Sequence, residues 1–93
     1  MELEITPRNY EPSKRVESQV EKYAEKFPKY AQGLQRVRFT LVGEKHEHRC
    51  EVHIHANGKD YHTKGSHEDM LVAVDKASNS MEEQLRRGGG WQN

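Results

Sequence analysis

The side chains best able to do chemistry in this 93-residue chain are its histidines, its one cysteine and its cations. Glu51, His53 and His55 alternate with apolar residues in the run RCEVHIHA, so they leave a strand on one side. His62, just past an Asn57-Gly58 turn signal, can stand beside them on the neighbouring strand. Two histidines at i and i+2 with a third across a hairpin can bind zinc or copper. No ligand motif of fixed spacing accompanies them, and a row of exposed histidines on a wet sheet face is the plainer reading. His46 and His48 repeat the spacing near a turn and are read the same way. Cys50 falls on the opposite side of the same strand from His53, which argues against a nucleophile–base pair. A single cysteine cannot close an internal disulfide, and in an apolar alternation it reads as a buried free thiol. The chain has no Gly-rich loop opening a helix, no G-x-S-x-G and no H-E-x-x-H, and Gly88-Gly89-Gly90 follows a helix instead of preceding one. The reading is a protein that is not an enzyme, with no metal, no cofactor and no small-molecule substrate.

The cations point elsewhere. Fifteen Lys and Arg balance fifteen Asp and Glu, and a neutral total is not the usual signature of a nucleic-acid binder. The distribution shifts it only slightly, with six bases against four acids between residues 31 and 65. Lys14, Arg15, Lys22 and Lys26 are interspersed with Glu17, Glu21 and Glu25, the pattern of a solvated helix face. Hydrophobic content is 32% and mean hydropathy is −1.13, low enough to raise disorder. Periodicity answers that concern, because the few apolar residues fall where helices and strands need them. There is no apolar run near ~20 residues and no signal-peptide pattern, so the expectation is a cytoplasmic protein without membrane contact.

The elements that must position these groups follow from the pattern. Met1 to Thr6 alternates as a short strand with Leu3 and Ile5 inward, and Pro7 to Pro12 reads as a connection. Ser13 caps a helix carrying Val16, Val20, Tyr23, Ala24 and Phe27, which Pro28 ends. Gln35–Val42 puts Val37, Phe39 and Leu41 on one side and Arg38 and Thr40 on the other. Arg49–Ala56 and Lys59–Lys64 form a hairpin about Asn57-Gly58, with Tyr61 and Thr63 inward. A last helix spans Gly65–Arg87, with Ser66 as N-cap, Asp69 closing a capping box, and Met70, Ala73, Val74, Ala77, Met81 and Leu85 as its apolar stripe. The fold class is α+β in the order β-α-β-β-β-α: a four-stranded sheet with two helices packed on one face and Arg38, Glu51, His53, His55, His62 and Lys64 on the wet face. Residues 1–87 make one domain and 88–93 a flexible Gly-rich tail in which Trp91 has no evident partner.

This order, together with H-E-D-M at His67–Met70, A-V-D at Ala73–Asp75, then Met81, Gln84 and Leu85, resembles the ribosome hibernation-promoting factors. That family includes the ribosome-associated inhibitor and the proteins called sigma-54 modulation proteins. Ile5-Thr6, Ser13, Leu41, Glu44-Lys45, Ile54-His55, Asn57-Gly58 and His62 fit the same pattern, so the resemblance runs from Met1 to about Arg87. It implies a ribosome-binding, rRNA-binding module similar in fold to double-stranded-RNA-binding domains. Such a module lodges in the mRNA and tRNA channel of the small ribosomal subunit and inhibits translation under stress or in stationary phase. Its contacts are phosphate neutralisation with little base readout. Carried over by position, Lys26 and Lys29 match basic positions ending the first helix, Lys45 the strand-loop lysine, and Arg87 the basic end of the last helix. Lys22, Arg38 and Arg86 are basic and close by in sequence. The resemblance is to the short form, which lacks the linker and C-terminal dimerisation domain of long relatives. Ser80 and Glu83 stand where relatives often carry Lys and Arg, and they motivate an alternative: a protein-interaction module that kept the fold and lost RNA binding.

Overall fold

The alternating runs become strands and the 3.6-residue runs become helices in the computed structural model, which describes residues 1–89. Strand β1 is Glu2–Arg8, helix α1 Lys14–Lys26, β2 Leu34–Gly43, β3 His48–Ala56, β4 Lys59–His67 and helix α2 Met70–Gln84. A 3-10 turn, Phe27–Lys29, follows α1, and a wide π-type turn, Leu85–Gly89, follows α2. The sheet order is β1-β2-β3-β4, with β1 parallel to β2 across the α1 crossover and the other two pairings antiparallel. The β3–β4 hairpin turns where expected: Asn57 and Gly58 both take positive φ, 57° and 75°.

One sheet face carries the core. Val37, Phe39 and Leu41 of β2 and Cys50, Val52 and Ile54 of β3 are buried together with Val20 and Ala24 of α1, Phe27 of the 3-10 turn, and Ala73, Val74, Ala77 and Met81 of α2. Ser13 caps α1 by accepting from the Val16 amide at 3.1 Å. Pro28 lies inside the 3-10 turn, whose geometry it tolerates, so the α-helical part of the first helix ends at Lys26. Helix α2 sits very close to β4. A Cβ on Gly65 would stand 2.6 Å from Lys76 Cβ and 2.9 Å from the Ala73 carbonyl oxygen. Thr63 closes the same contact by donating its hydroxyl to the Ala77 carbonyl at 2.8 Å.

Three boundaries differ from the sequence reading. β1 continues through Pro7 and Arg8, which pair with Leu41 and Val42; β1 has only one neighbour, and an edge strand tolerates a proline. β4 runs to His67, so Ser66 is a strand residue opposite Arg49 and not a helix cap. The N-cap of α2 is Asp69, whose carboxylate accepts from the Leu71 amide at 2.9 Å. The Ser66–Asp69 capping box does not form, because pairing with β3 already uses the strand's backbone and Gly65 must stay flat against α2. The amide of Asp69 instead donates to His67 Nδ1 at 3.0 Å. Gly88 and Gly89, assigned to the tail by sequence, belong to the wide turn, and Trp91 lies outside the described residues.

Asp69→Ala is therefore expected to cost about 1 kcal/mol by loss of the cap, while Ser66→Ala stays within about 0.5 kcal/mol. Gly65→Ala forces β4 and α2 apart and is expected to cost about 1–3 kcal/mol. Urea unfolding midpoints of the three variants order them; a Ser66→Ala loss exceeding that of Asp69→Ala would restore the capping box.

Candidate nucleic-acid interface

Helices α1 and α2 run side by side in the same direction, and polar contacts hold their register. Asp75 accepts from the Tyr23 hydroxyl at 2.8 Å and from Gln19 Nε2 at 3.0 Å. One step further along, Lys26 Nζ lies 3.8 Å from Glu82 Oε2, and beyond it the Arg86 guanidinium stands over the Tyr30 ring, 5.0 Å from its centre. Gln19–Asp75, Lys26–Glu82 and Tyr30–Arg86 share one sequence separation of 56, so the two helices advance in step. Burial together with the hydrogen bond to Asp75 pushes the Tyr23 phenol up to about 12, which keeps it a donor at any physiological pH.

This seam gathers part of the cation set. Lys22, Lys26 and Lys29 recur at helical spacing and line a shallow hollow with Gln19, Tyr23 and Glu25. Lys26 also lies over the Tyr23 ring, 5.3 Å from its centre. Arg86 joins them at the far end of α2. Arg87, next in sequence, is exposed and paired to Glu83 at 2.9 Å. The other two predicted residues lie elsewhere. Lys45 is in the β2–β3 turn, at the opposite end of β2 from Tyr30, a span of about 30 Å at ~3.3 Å per residue. Arg38 projects from the open sheet face, bound to Glu4 at 3.1 Å.

That open face is a ladder of compensated charges. In register, Glu2 lies beside Arg36, Arg36 beside His55, and His55 beside Asp60, to which it is bonded at 2.8 Å. The next row is Glu4, Arg38, His53, His62, and Glu51 in the row after takes Arg49 at 2.9 Å and His62 at 3.2 Å. Burial alone would raise the Glu51 carboxyl, but the hydrogen bonds from Arg49 and His62 outweigh it and hold the pKa below the usual range. His53 and His62 stack face to face, 4.1 Å between centres and 10° between planes, and His55 turns away to Asp60. Among the described residues no group of three metal-ligating side chains comes together. Burial pushes the Cys50 thiol up to about 12, so it is a core residue and not a nucleophile at neutral pH.

Sequence reasoning placed Lys22 and Lys26 on the first helix and matched Lys26 and Lys29 to basic positions at its end, but did not find the Gln19–Asp75, Lys26–Glu82 and Tyr30–Arg86 contacts beside them. The pairing depends on contacts 52 to 56 residues apart, for which one sequence carries no local signal.

The molecule is an α+β module with one cationic helix flank and an open sheet face of paired charges, and no described helix is long and apolar enough to cross a bilayer. Comparison with known proteins names the class. Residues 3–88 match the model of the sigma 54 modulation protein / S30EA ribosomal protein family, and the chain belongs to that family. A ribosome hibernation promoting factor from Salmonella typhimurium is 29% identical over 87 residues, covering 94% of this chain and 92% of that protein. The Escherichia coli K12 factor of the same name is 28% identical with the same coverage. A ribosome hibernation promotion factor from Deinococcus radiodurans is 28% identical over 89 residues, and this chain spans about half (47%) of its length. Among solved structures, the N-terminal domain of Thermus thermophilus Protein Y superposes with a TM-score of 0.82 at 22% identity, covering 94% of this chain and 98% of that one. A ribosomal subunit interface protein from Coxiella burnetii gives 0.80 at 17% identity, covering 91% and 93%. These two establish the same fold, with the same element order and two helices on one sheet face.

The stacked histidines generate a pH prediction. Burial, then the neighbouring His62 and Arg38, hold the His53 pKa below its ordinary 6.5, against the opposing pull of Glu51 and Asp60. The folded protein thus binds fewer protons at His53 than the unfolded chain does below 6.5. The stabilisation by neutral His53 is complete above 6.5 and is lost as pH falls from there toward the folded-state pKa. NMR titration of the imidazole signals should place His53 below 6.5, and His53→Gln should lose less stability than the parent between pH 7.5 and 5.5. A His53 midpoint at or above 6.5 contradicts the assignment.

Proposed function

We propose that this chain is a ribosome hibernation factor that binds RNA of the small ribosomal subunit in the mRNA/tRNA channel and holds translation off under stress or in stationary phase. What carries the reading is the alignment with hibernation promoting factors along nearly the whole of both chains. The geometry supports it from the protein side. Lys22, Lys26, Lys29 and Arg86 form a line of cations along two rigid parallel helices, and such a line suits a phosphate backbone read by shape. Half of the Lys26 side chain is exposed, so its ammonium can turn to an incoming phosphate, at the cost of leaving the mostly buried Glu82 carboxylate without its counter-charge. Lys45, at the other end of the sheet, is a separate contact to a second RNA segment. Arg38, held by Glu4 within the compensated face, is the weakest of the seven as an RNA ligand, and Arg87 must first leave Glu83.

The ion pairs Arg87–Glu83 and Lys26–Glu82 favour a second reading, a protein-interaction module on the same fold, since each occupies a cation that RNA would need. Co-sedimentation with purified small subunits across a salt series separates the two. The ribosome reading expects binding at low salt that weakens steeply as salt rises. Absence of binding even at low salt, with a defined non-ribosomal protein recovered in a pull-down, supports the second reading. Ser80 and Glu83 are both exposed on α2, so the double variant Ser80→Lys, Glu83→Arg should fold unchanged. It adds two cations, removes one anion and frees Arg87. Its affinity for small subunits should rise at least about tenfold near 0.1 M salt, with a steeper salt slope. An unchanged affinity would place the RNA on another face.

A further inference from the structure

Where α1 and α2 end together, Arg86 is held in an unusual way for a surface cation. Its guanidinium stands over the Tyr30 ring, 5.0 Å from the ring centre, and among the described residues no carboxylate is paired with it. The nearby acid Glu83 is taken by Arg87, and Glu82 faces Lys26. Tyr30 itself is half-buried against the core, and its amide, bonded to the Phe27 carbonyl at 2.9 Å, seats it at the end of the 3-10 turn, so the ring forms a floor under the cation. Arg86 is exposed. The result is a planar cation with an aromatic ring beneath it and solvent above, one residue from Lys29 in the chain.

A phosphate contact needs charge and hydrogen-bond donors, and a freely moving Arg or Lys supplies both. Holding a guanidinium on an aromatic ring costs side-chain freedom and gives the phosphate nothing extra. What it does create is a flat, electron-poor surface, the kind on which unpaired bases stack in single-stranded recognition. We propose that Arg86 on Tyr30 is a nucleobase-stacking subsite: it takes one unpaired base, with a purine preferred for its larger π-face, while the Lys22–Lys26–Lys29 line tracks the phosphates of the same strand. This rests on the RNA-binding reading above and deepens it. The flank then recognises a strand with at least one base turned out, and not a regular duplex alone.

The test uses the full chain and two fluorescent single-stranded probes at low ionic strength: a 12-nucleotide oligoadenylate, and the same ribose-phosphate backbone without bases. Both carry equal phosphate charge, so any difference between them is due to the bases. The parent protein should prefer the oligoadenylate by about tenfold, of the order seen for one base stacked on an aromatic surface. Arg86→Lys keeps the charge and loses the plane. It should reduce the preference to less than about twofold. Tyr30→Leu keeps an apolar floor without the ring and should act in the same direction; because Tyr30 touches the core, Arg86→Lys is the deciding variant. A parent protein that binds both strands equally, or an Arg86→Lys variant with the full preference, overturns the subsite and leaves the ribosome reading standing. A parent that binds neither strand overturns the subsite as well, and co-sedimentation with small subunits then decides the ribosome reading on its own.

Discussion

Asp75 is the contact on which the arrangement of this molecule turns. One carboxylate on α2 receives the Tyr23 hydroxyl and the Gln19 amide from α1, and so fixes two parallel helices against sliding. The sheet alone would not do this. Its apolar face is built of Val, Leu, Ile and Phe side chains that offer shape but little directional preference along the helix axes. Hydrogen bonds to a carboxylate are directional and among the stronger ones available to a side chain. With the register set at Asp75, Lys26 must meet Glu82 and Tyr30 must meet Arg86 further along. The cation line and the aromatic floor at its end are consequences of that one clasp.

Close approach of α2 to β4 is the second constraint, and it explains where sequence reasoning succeeded and failed. The alternations in β2 and β3, the Asn57-Gly58 turn and the Ser13 cap are local signals, and each appears in the structure as read. The Ser66–Asp69 pair is an equally good local signal, yet it lost. Ser66 belongs to a strand held by nine cross-strand pairs with β3, and Gly65 beside it is flat because α2 leaves no room for a side chain. A cap contributes about 1 kcal/mol, and a strand end with paired backbone and a packed helix above it outweighs that. Lys22 and Lys26 were legible on the solvated side of the first helix, with Lys29 just past its end. That Arg86 would join them, and that Lys45 and Arg38 would lie at another end and on another face, depended on long-range packing that no spacing encodes.

Overall neutrality is a weak argument about what such a molecule binds, because neutrality is not uniform here. Most acids of the open sheet face are engaged by a neighbour: Glu2 by Arg36 and Glu4 by Arg38 on the next strand, Glu51 by Arg49 on its own strand and His62 on the next, and Asp60 by a hydrogen bond with His55. At separations beyond a Debye length of about 8 Å, paired charges of this kind project almost no field. The α1–α2 flank is different. Two of its acids lie between the helices, with Asp75 accepting from Tyr23 and Gln19 and Glu82 buried with one oxygen lacking a hydrogen-bond donor, while Lys22, Lys26, Lys29 and Arg86 are exposed alongside Glu25 and Glu83. Asp75 and Glu82 work between the helices, and the four bases work outward. A polyanion approaching the flank meets those four cations and the exposed Glu25, with two of the balancing acids partly hidden beneath. The same burial puts a ceiling on affinity, because drawing Lys26 away would leave Glu82 without a counter-charge in a site that water reaches poorly. On this seam Glu82 pulls back on Lys26, the central cation, while Arg86 meets no carboxylate among the described residues and keeps its place over the Tyr30 ring.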